Sequence, residues 1–205
     1  MKIAVVIPTR GIIFARTILS SILEPLLTGS HFIIVSGLPI PDSHNECVRR
    51  ALATNCTHIL FVEEDMEIPH DVLAALLREA ETRPYVAVDY PVTKDTRTVV
   101  FRDNGKVLWT GFGCTIVNRN IFSQMIEPYF TDKIDIMIDQ LHPFKYHTQS
   151  SNRNSYGKFD IEFGFHLQKL NIPMYVLPDV QCKHLRMKSW ERKEVNNGTH
   201  EIYDL

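Results

Sequence analysis

The stretch HILFVEEDMEIP, residues 58–69, joins a short apolar run to three consecutive acidic residues. The run HILFV has the length and composition of a buried strand, and Glu63, Glu64 and Asp65 follow it directly. Carboxylates crowded at one point repel each other unless a positive charge lies among them. Since ligands of an open α/β sheet bind beyond the carboxyl ends of its strands, this stretch predicts a ligand site at that edge.

The order of the three acids predicts the directions of their side chains. Side chains alternate in extended chain, so Glu63 and Asp65 are expected on one side and Glu64 on the other. Two converging carboxylates suit Mg²⁺ or Mn²⁺, ions that typically bind one or two protein carboxylates together with substrate phosphates. The alternative is a solvated acidic loop before a helix near Asp71, where acids are also favourable.

Strand and helix patterns alternate through the first half of the chain. The strand patterns are KIAVVIP, HFIIVSG, HILFV and YVAVDYP, and the helical patterns are FARTILSSILEPLL, SHNECVRRALATN and DVLAALLREAET. Ser43 and Glu46, three residues apart, predict a capping box at the start of the second helix. This alternation predicts a mainly parallel, Rossmann-like sheet flanked by helices.

The second half of the chain does not continue the alternation of strands and helices. RTVVFRDNGKVLWTG predicts a β-hairpin turning at DNG, and GFGCTIVNRNIFSQM predicts a strand and then a helix capped by Asn118. Residues 129–158 are irregular, which is typical of a functional loop, and DIEFGFHLQKLN and PMYVLP predict a last helix and strand. We therefore expect one α/β domain over residues 1–185 and a polar tail over 186–205 that is a possible lid.

Composition limits the class of protein. The chain has 205 residues, 44% hydrophobic and 22% charged, with a net charge of −2, which fits one globular domain and lacks the basic signature of nucleic-acid binding. No apolar run has the length of a signal peptide or a membrane span, so the sequence predicts a cytoplasmic protein that is complete from its first strand. Four scattered cysteines indicate reduced thiols rather than a disulfide framework or a zinc site: Cys47, Cys56, Cys114 and Cys182.

Taken in order, these motifs resemble the nucleotide-sugar glycosyltransferases of the GT-A fold, family 2-like. VVIPTRG and HILFVEEDMEIP resemble the end of the family's first strand and its acidic D-x-D-type metal motif. GFGCTIVNRNIF resembles its glycine-bearing strand, and KFDIEFGFHLQKLNIPMYVLPDVQCKHL resembles its closing block of acid, helix, strand and histidine. The resemblance runs from about residue 3 to residue 184 and implies a GT-A-like single domain.

The resemblance implies a site for Mn²⁺ or Mg²⁺ held by Asp65, Glu63 and His184. Glu63 stands where the family has an aspartate, and it has the alternative role of binding the nucleotide's ribose. Glu64 is assigned to the nucleotide-sugar side, with a purely structural role as the alternative. An isolated histidine such as His184 is otherwise an ordinary surface or core residue.

The resemblance also implies a catalytic base. Asp160 falls on the family's catalytic aspartate, with Phe159 in place of the acid that often precedes it, and Glu162 is the substitute base. A general base would remove the proton from the acceptor hydroxyl as that oxygen attacks the sugar. The alternative for Asp160 is an ordinary helix N-cap.

The donor is expected to be a nucleoside-diphosphate sugar, most simply a UDP-sugar, bound by residues spread along the chain. Besides Glu63 and Glu64, the predicted nucleotide-sugar contacts are Pro8, Thr9, Arg10, Asn45, Arg49, Gly111, Gly113 and Lys188. For Arg10 the alternative is an ordinary strand-to-helix turn, and for Asn45 and Arg49 a solvated helix surface. Lys188 lies in the basic run KHLRMKSWERK, which is either a solvated face or a segment that closes over the diphosphate.

The predicted function is metal-dependent transfer of a sugar to an acceptor hydroxyl. The acceptor class stays open among glycan, protein, lipid and modified DNA base, and residues 129–158, with His142 and His147, are expected to contact it. One alternative is a nucleotidyltransferase, although PTRGIIFART is a poor match to the glycine-rich loop of that class. The other is a non-catalytic nucleotide- or sugar-binding module of the same fold.

Overall fold

The computed structural model describes residues 1–91, 100–131 and 158–185. The strands of its main sheet are β1 (Ile3–Thr9), β2 (His31–Ser36), β3 (His58–Val62), β5 (Tyr85–Asp89), β8 (Cys114–Asn118) and β9 (Tyr175–Gln181). The short strands are β4 (Met66–Glu67), β6 (Phe101–Asp103), β7 (Lys106–Trp109) and β10 (Lys183–His184). The helices are α1 (Ala15–Ser21), α2 (Asp42–Leu52), α3 (His70–Ala80) and α4 (Lys158–Lys169), with 3₁₀ helices at Pro25–Leu27 and Arg119–Gln124.

The main sheet has the strand order β2-β1-β3-β8-β5-β9. Strands β2 and β3 run parallel to β1, and β9 runs parallel to β5, while β8 is antiparallel to both of its neighbours, β3 and β5. The prediction of a mainly parallel α/β sheet is confirmed. Because β8 is reversed, the glycine-bearing start of this strand lies at the same edge as the carboxyl ends of β3 and β5.

Each face of the sheet carries its own apolar core. Strand β3 shows the division, because Phe61 packs into the cluster that includes residues of α2 and α4, and its neighbour Leu60 packs into the cluster that includes residues of α3. Successive side chains of a strand point to opposite faces, so a strand covered on both faces reads as an uninterrupted apolar run. This is why HILFV and KIAVVIP are recognisable as strands in the sequence.

Helix α4 lies close against the hairpin of β6 and β7. A Cβ atom on Gly164 would lie 2.7 Å from the carbonyl oxygen of Leu108 and 2.7 Å from Cβ of Trp109, so only glycine allows this approach. The hairpin itself turns at Asn104 and Gly105, which have φ of 47° and 78°, as the DNG sequence predicts. The hairpin prediction is confirmed for the described residues, and the hairpin packs against α4 at Gly164.

Three local predictions need correction. The helix predicted from FARTILSSILEPLL ends at Ser21, because Pro25 lacks the N–H that a continuing helix needs, and a 3₁₀ turn follows. The predicted capping box is wrong: α2 begins at Asp42, so Ser43 lies buried inside the helix, and none of the described side chains caps its N-terminus. Asn118 does cap the next helix, by accepting from the backbone N–H of Asn120 at 3.0 Å, but that helix is 3₁₀.

Candidate active site

The three acids after β3 turn in different directions. Glu64 is buried, and its carboxylate accepts hydrogen bonds from the Thr9 hydroxyl at 2.6 Å, the Arg10 backbone N–H at 2.7 Å and the Arg10 Nε at 2.6 Å. The Thr9 oxygen in turn accepts from the backbone N–H of Gly11 at 3.0 Å. Glu64 therefore ties the end of β3 to the end of β1, and its hydrogen-bonding capacity is used within the protein.

Asp65 meets His184 across a small second sheet that the sequence did not predict. Strand β4 pairs with β10, so that Met66 lies opposite His184, and the Leu185 backbone N–H donates to the Asp65 carbonyl at 2.7 Å. This pairing brings the Nε2 atom of His184 to 3.0 Å from Oδ2 of Asp65. Two residues that the resemblance assigns to one metal site thus lie side by side, although 118 residues of sequence separate them.

Both ring nitrogens of His184 face oxygen atoms. Nδ1 lies 3.1 Å from the carbonyl oxygen of Pro91, which can only accept, so Nδ1 carries the proton of this contact. Nε2 and the Asp65 carboxylate then point two lone pairs at each other unless a cation joins them. A second proton meets this need, and the Asp65 hydrogen bond raises the pKa of His184 accordingly.

A divalent ion meets the same need. Neighbouring ligand atoms of an octahedral ion with bonds of about 2.1 Å lie about 3.0 Å apart, which is the separation between Asp65 Oδ2 and His184 Nε2. Metal-bound histidines also donate their other ring N–H to a carbonyl or carboxylate, as His184 does to Pro91. The pair fits two ligands of an ion, and within the described ranges no third histidine, cysteine or acid completes a larger group.

Glu63 faces the same region as Asp160. Burial, and then the neighbouring charge of Asp65, raises the pKa of Glu63 to about 7. Burial, and then the charge of Glu63, raises the pKa of Asp160 well above its usual range. The two carboxyl groups therefore interact, although they come from the end of β3 and from the first turn of α4. Glu63 therefore has charged neighbours both in Asp65 and in Asp160.

The two candidate bases lie on different sides of α4. Oδ1 of Asp160 and Oε2 of Glu162 are both buried and have no hydrogen-bond partner among the described residues. Two residues apart on an α-helix means a rotation of about 200°, so the two carboxyl groups point away from each other. The charge of Glu63 contributes to the raised pKa of Asp160, which places Asp160 near the acidic strand end.

The predicted glycines border this group of residues. Gly111 and Gly113 are buried in the chain that leads into β8. The Gly113 carbonyl accepts from the Glu63 backbone N–H at 3.1 Å, and its own N–H donates to the Tyr90 hydroxyl at 2.9 Å. Pro8 and Thr9 end β1 at the same edge of the sheet, and the Arg10 guanidinium, 75% exposed, pairs with Glu64.

Two other predicted donor contacts already have partners in the protein. The side-chain amide of Asn45 donates to the Phe130 carbonyl at 2.8 Å and accepts from the Phe130 N–H at 2.9 Å. Arg49 pairs with Glu127 at 2.6 Å and with Glu46 on the helix surface. A nucleotide contact by Asn45 would require its pairing with Phe130 to break.

Lys188, the tail 186–205, and His142 and His147 lie outside the described residues. Their predicted roles in donor closure and acceptor binding therefore stay predictions. In the described part of the chain, no helix is long and apolar enough to cross a membrane.

Sequence reasoning missed Tyr90, which stands at the centre of the site. Its hydroxyl accepts from Gly113, and its ring lies edge-on to His184 with centroids 5.7 Å apart. The carboxylates of Glu63, Asp160 and Asp65 all add to burial in raising the pKa of Tyr90. Its position directly after β5 could have pointed to it, because the residues that follow a strand ending at this edge lie at the site.

Comparisons with known proteins bear on the fold. No protein-family model matches the chain, and no curated protein matches it by sequence. Among solved structures, A197 from STIV superimposes with a TM-score of 0.63 at 16% identity, over 91% of this chain and 87% of that one. TarS 1-349 from S. aureus, a GT-A-type glycosyltransferase, superimposes with a TM-score of 0.53 at 14% identity, over 90% of this chain and 60% of that one.

The chain has the GT-A fold. At these identities the likeness describes the arrangement of helices and strands and not the activity. Within the GT-A fold, the acidic end of β3, the start of β8 and the first turn of α4 meet at one edge of the sheet. That meeting point is the candidate active site.

Proposed function

We propose that the protein is a glycosyltransferase that moves a sugar from a nucleoside-diphosphate sugar to an acceptor hydroxyl. The observations that carry the proposal are the pairing of Asp65 with His184 at 3.0 Å, which a proton or a metal ion can satisfy, and the buried Oδ1 of Asp160, which has no hydrogen-bond partner among the described residues. The GT-A fold supports glycosyl transfer as the class of reaction. A UDP-sugar is the donor to test first.

Asp65 and His184 are the residues that would hold Mn²⁺ or Mg²⁺. When bound, such an ion supplies positive charge against the two donor phosphates and so stabilises the departing diphosphate. Pro91 keeps the proton on Nδ1 of His184 and leaves Nε2 free to bind. Glu64 does not take part, since its oxygens are occupied by Thr9 and Arg10.

Asp160 is the proposed general base. Its Oδ1 atom is buried without a hydrogen-bond partner in the described part of the chain, so it is available to an incoming hydroxyl. Burial raises its pKa, which makes its carboxylate more basic than one in water and better able to take a proton from an acceptor hydroxyl. Glu63, whose charge reaches Asp160, is suited to bind a hydroxyl of the donor or acceptor nearby.

Donor and metal binding are tested together by thermal unfolding. A ligand that binds the folded state raises the melting temperature, so UDP-sugars and UDP are tested with and without Mn²⁺. We expect a shift that requires both, and we expect Asp65→Ala to abolish its Mn²⁺-dependent part. Glu67→Ala is the matched control, because Glu67 is an acid two residues after Asp65 but pairs with Arg16 and Lys183 at the surface.

Turnover is tested by release of UDP from the donors that bind. Metal-dependent hydrolysis without added acceptor, lost in Asp160→Asn, supports the transferase. Donor binding with no turnover of any donor, in the presence of candidate glycan, protein and lipid acceptors, would favour the non-catalytic binding module instead. Binding of nucleoside triphosphates in preference to diphosphate sugars would favour the nucleotidyltransferase.

A further inference from the structure

Three consecutive residues, Asp89, Tyr90 and Pro91, contact the segment that carries His184. The Asp89 carbonyl accepts from the backbone N–H of Cys182 at 3.2 Å, and the Pro91 carbonyl lies 3.1 Å from Nδ1 of His184. Between them, the Tyr90 ring lies edge-on to the His184 ring, at an interplanar angle of 67°. Successive residues of one segment thus contact the backbone just before His184, the His184 ring and its Nδ1 atom.

Tyr90 is itself held by Gly113. A Cβ atom at position 113 would lie 2.5 Å from Cζ and 2.7 Å from the hydroxyl oxygen of Tyr90, so the ring occupies the space that any other residue would need. The Gly113 N–H also donates to the Tyr90 hydroxyl at 2.9 Å. The ring is only 4% exposed, and it therefore has little freedom to move.

We propose that Tyr90, seated on Gly113, is a positioning residue that fixes the plane of the His184 imidazole so that Nε2 points at Asp65. Without the ring, the contacts described for the His184 imidazole are those of its two nitrogens, with the Pro91 carbonyl and the Asp65 carboxylate. The inference rests on the proposed role of His184 in metal binding, and it assigns a function to a glycine and a tyrosine that are 23 residues apart.

Loss of groups that orient a metal ligand typically lowers metal affinity by about 10- to 100-fold. We expect such a loss of Mn²⁺ affinity, measured by electron paramagnetic resonance of free Mn²⁺, in Tyr90→Leu. Tyr90→Phe keeps the ring and is expected to stay within about threefold of wild type. Gly113→Ala keeps both Tyr90 and His184 but displaces the ring, so it is expected to resemble Tyr90→Leu.

Tyr85→Leu is the matched control, because it removes a buried tyrosine from β5, the strand that Tyr90 follows, and Tyr85 packs in the core on the other face of the sheet. It is expected to lower the melting temperature while leaving Mn²⁺ affinity unchanged. In the double variant Tyr90→Leu/Gly113→Ala, the loss is expected to be no larger than in Tyr90→Leu alone, because both substitutions act on one ring. Additive losses, or wild-type affinity in Tyr90→Leu, would overturn the proposal.

A metal-free measurement separates this inference from the proposed function. Carbon-13 relaxation of the His184 ring, assigned with His184→Gln, reports how firmly the ring is held. We expect a rigid ring in the wild type and in Tyr90→Phe, and a mobile one in Tyr90→Leu and Gly113→Ala. If the wild type binds no Mn²⁺, the metal role of His184 fails and the ring dynamics alone decide whether Tyr90 positions it. An equally rigid ring in all four proteins would refute the positioning role.

Discussion

Glu63, Glu64 and Asp65 are consecutive in sequence, but the surroundings of the Glu64 carboxylate differ from those of its two neighbours. The Glu64 carboxylate accepts from the Thr9 hydroxyl and from the Arg10 backbone and side chain. The Asp65 carboxylate faces a ring nitrogen, and burial beside Asp65 raises the pKa of Glu63 to about 7. One carboxylate is satisfied by the fold, and the other two are held in surroundings that favour a cation or a proton.

This difference separates a structural contact from a functional one. Buried polar groups in native proteins are generally satisfied, and the exceptions call for an explanation. Here the satisfied acid joins the ends of two strands, while the atoms without a partner among the described residues include Oδ1 of the proposed base, Asp160. The fold therefore places carboxyl groups with unfavourable surroundings at one edge of the sheet, and the hydrogen bonds of Glu64 stabilise that edge.

The largest expected effect is on turnover in Asp160→Asn. The amide cannot accept a proton, so kcat is expected to fall by about 10²- to 10⁴-fold while donor binding persists. Because burial raises the pKa of Asp160, wild-type kcat is expected to increase as pH rises and more of this group is deprotonated. Steady-state rates across pH 6–9 check both points. A variant with near-wild-type kcat would move the role of base elsewhere, with Glu162→Gln as the next variant to measure.

How much of the fold and of the candidate site could be predicted depends on how far apart in sequence the interacting residues are. The apolar runs and the turn signals are local, so the strands and the hairpin at Asn104 and Gly105 follow from neighbouring residues. The family-level order of motifs also pointed to Asp65, Asp160 and His184 as members of one site. These parts of the fold were predicted because each depends on a pattern within a few residues or on motif order.

The remaining features depend on contacts between distant segments. Nothing local marks Glu64 as the partner of Thr9, nor Tyr90 as the neighbour of His184. The pairing of β4 with β10 involves two residues on each side, which is too short for a pattern. The capping box failed for a related reason, since the N-cap of α2 is Pro41, two residues before Ser43, and Ser43 is buried inside the helix. Side-chain partners across a sheet edge are set by the assembled fold.

The second prediction removes the satisfied acid. Glu64→Ala leaves the Arg10 backbone N–H without its carboxylate acceptor, while the Thr9 hydroxyl keeps the Ile12 carbonyl at 3.1 Å as an acceptor. The free energy of unfolding is therefore expected to fall by about 1.5 to 3 kcal/mol, the range for one hydrogen bond to a charged group. The Arg10 guanidinium adds little because it is mostly exposed. Urea denaturation measures the change.

Glu63→Gln is the matched control for that variant. Ionised Glu63 is disfavoured in the folded state, because its pKa is about 7 there and near 4.5 in an unfolded chain. The contribution of Glu63 to stability is therefore present below about pH 4.5 and decreases as pH rises toward 7. In metal-free protein at pH 8, Glu63→Gln is expected to be at least as stable as wild type. A loss as large as that of Glu64→Ala would remove the distinction between the two acids.

The third prediction concerns a buried histidine outside the acidic edge. His44 is 1% exposed, packs against Phe159 at 4.6 Å between ring centroids, and has Nε2 unpartnered in the described residues. Burial lowers its pKa to about 3, so the unfolded chain binds a proton between pH 6.5 and 3 that the folded one does not. Stability is therefore lost as pH falls through this window.

His44→Phe removes that proton-linked loss. Between pH 7.5 and pH 5, the wild type is expected to lose about 2 kcal/mol more of its free energy of unfolding than the variant, at about 1.4 kcal/mol per pH unit below 6.5. Denaturation at the two pH values measures the difference. Parallel pH dependence in the two proteins would show that His44 titrates normally, and that burial among the phenylalanines does not exclude its charge.

The smallest effect is expected at Arg49, whose ion pairs are exposed, unlike the buried carboxylate of Glu64. Its ion pairs with Glu46 and Glu127 join exposed side chains, and such pairs contribute little because water and salt screen them. Arg49→Ala is therefore expected to leave the melting temperature indistinguishable from wild type. The donor KM decides whether the predicted nucleotide contact exists. A tenfold increase in KM would mean that Arg49 leaves its surface partners to bind the donor, whereas an unchanged KM confines the donor site to the edge formed by β1, β3 and β8.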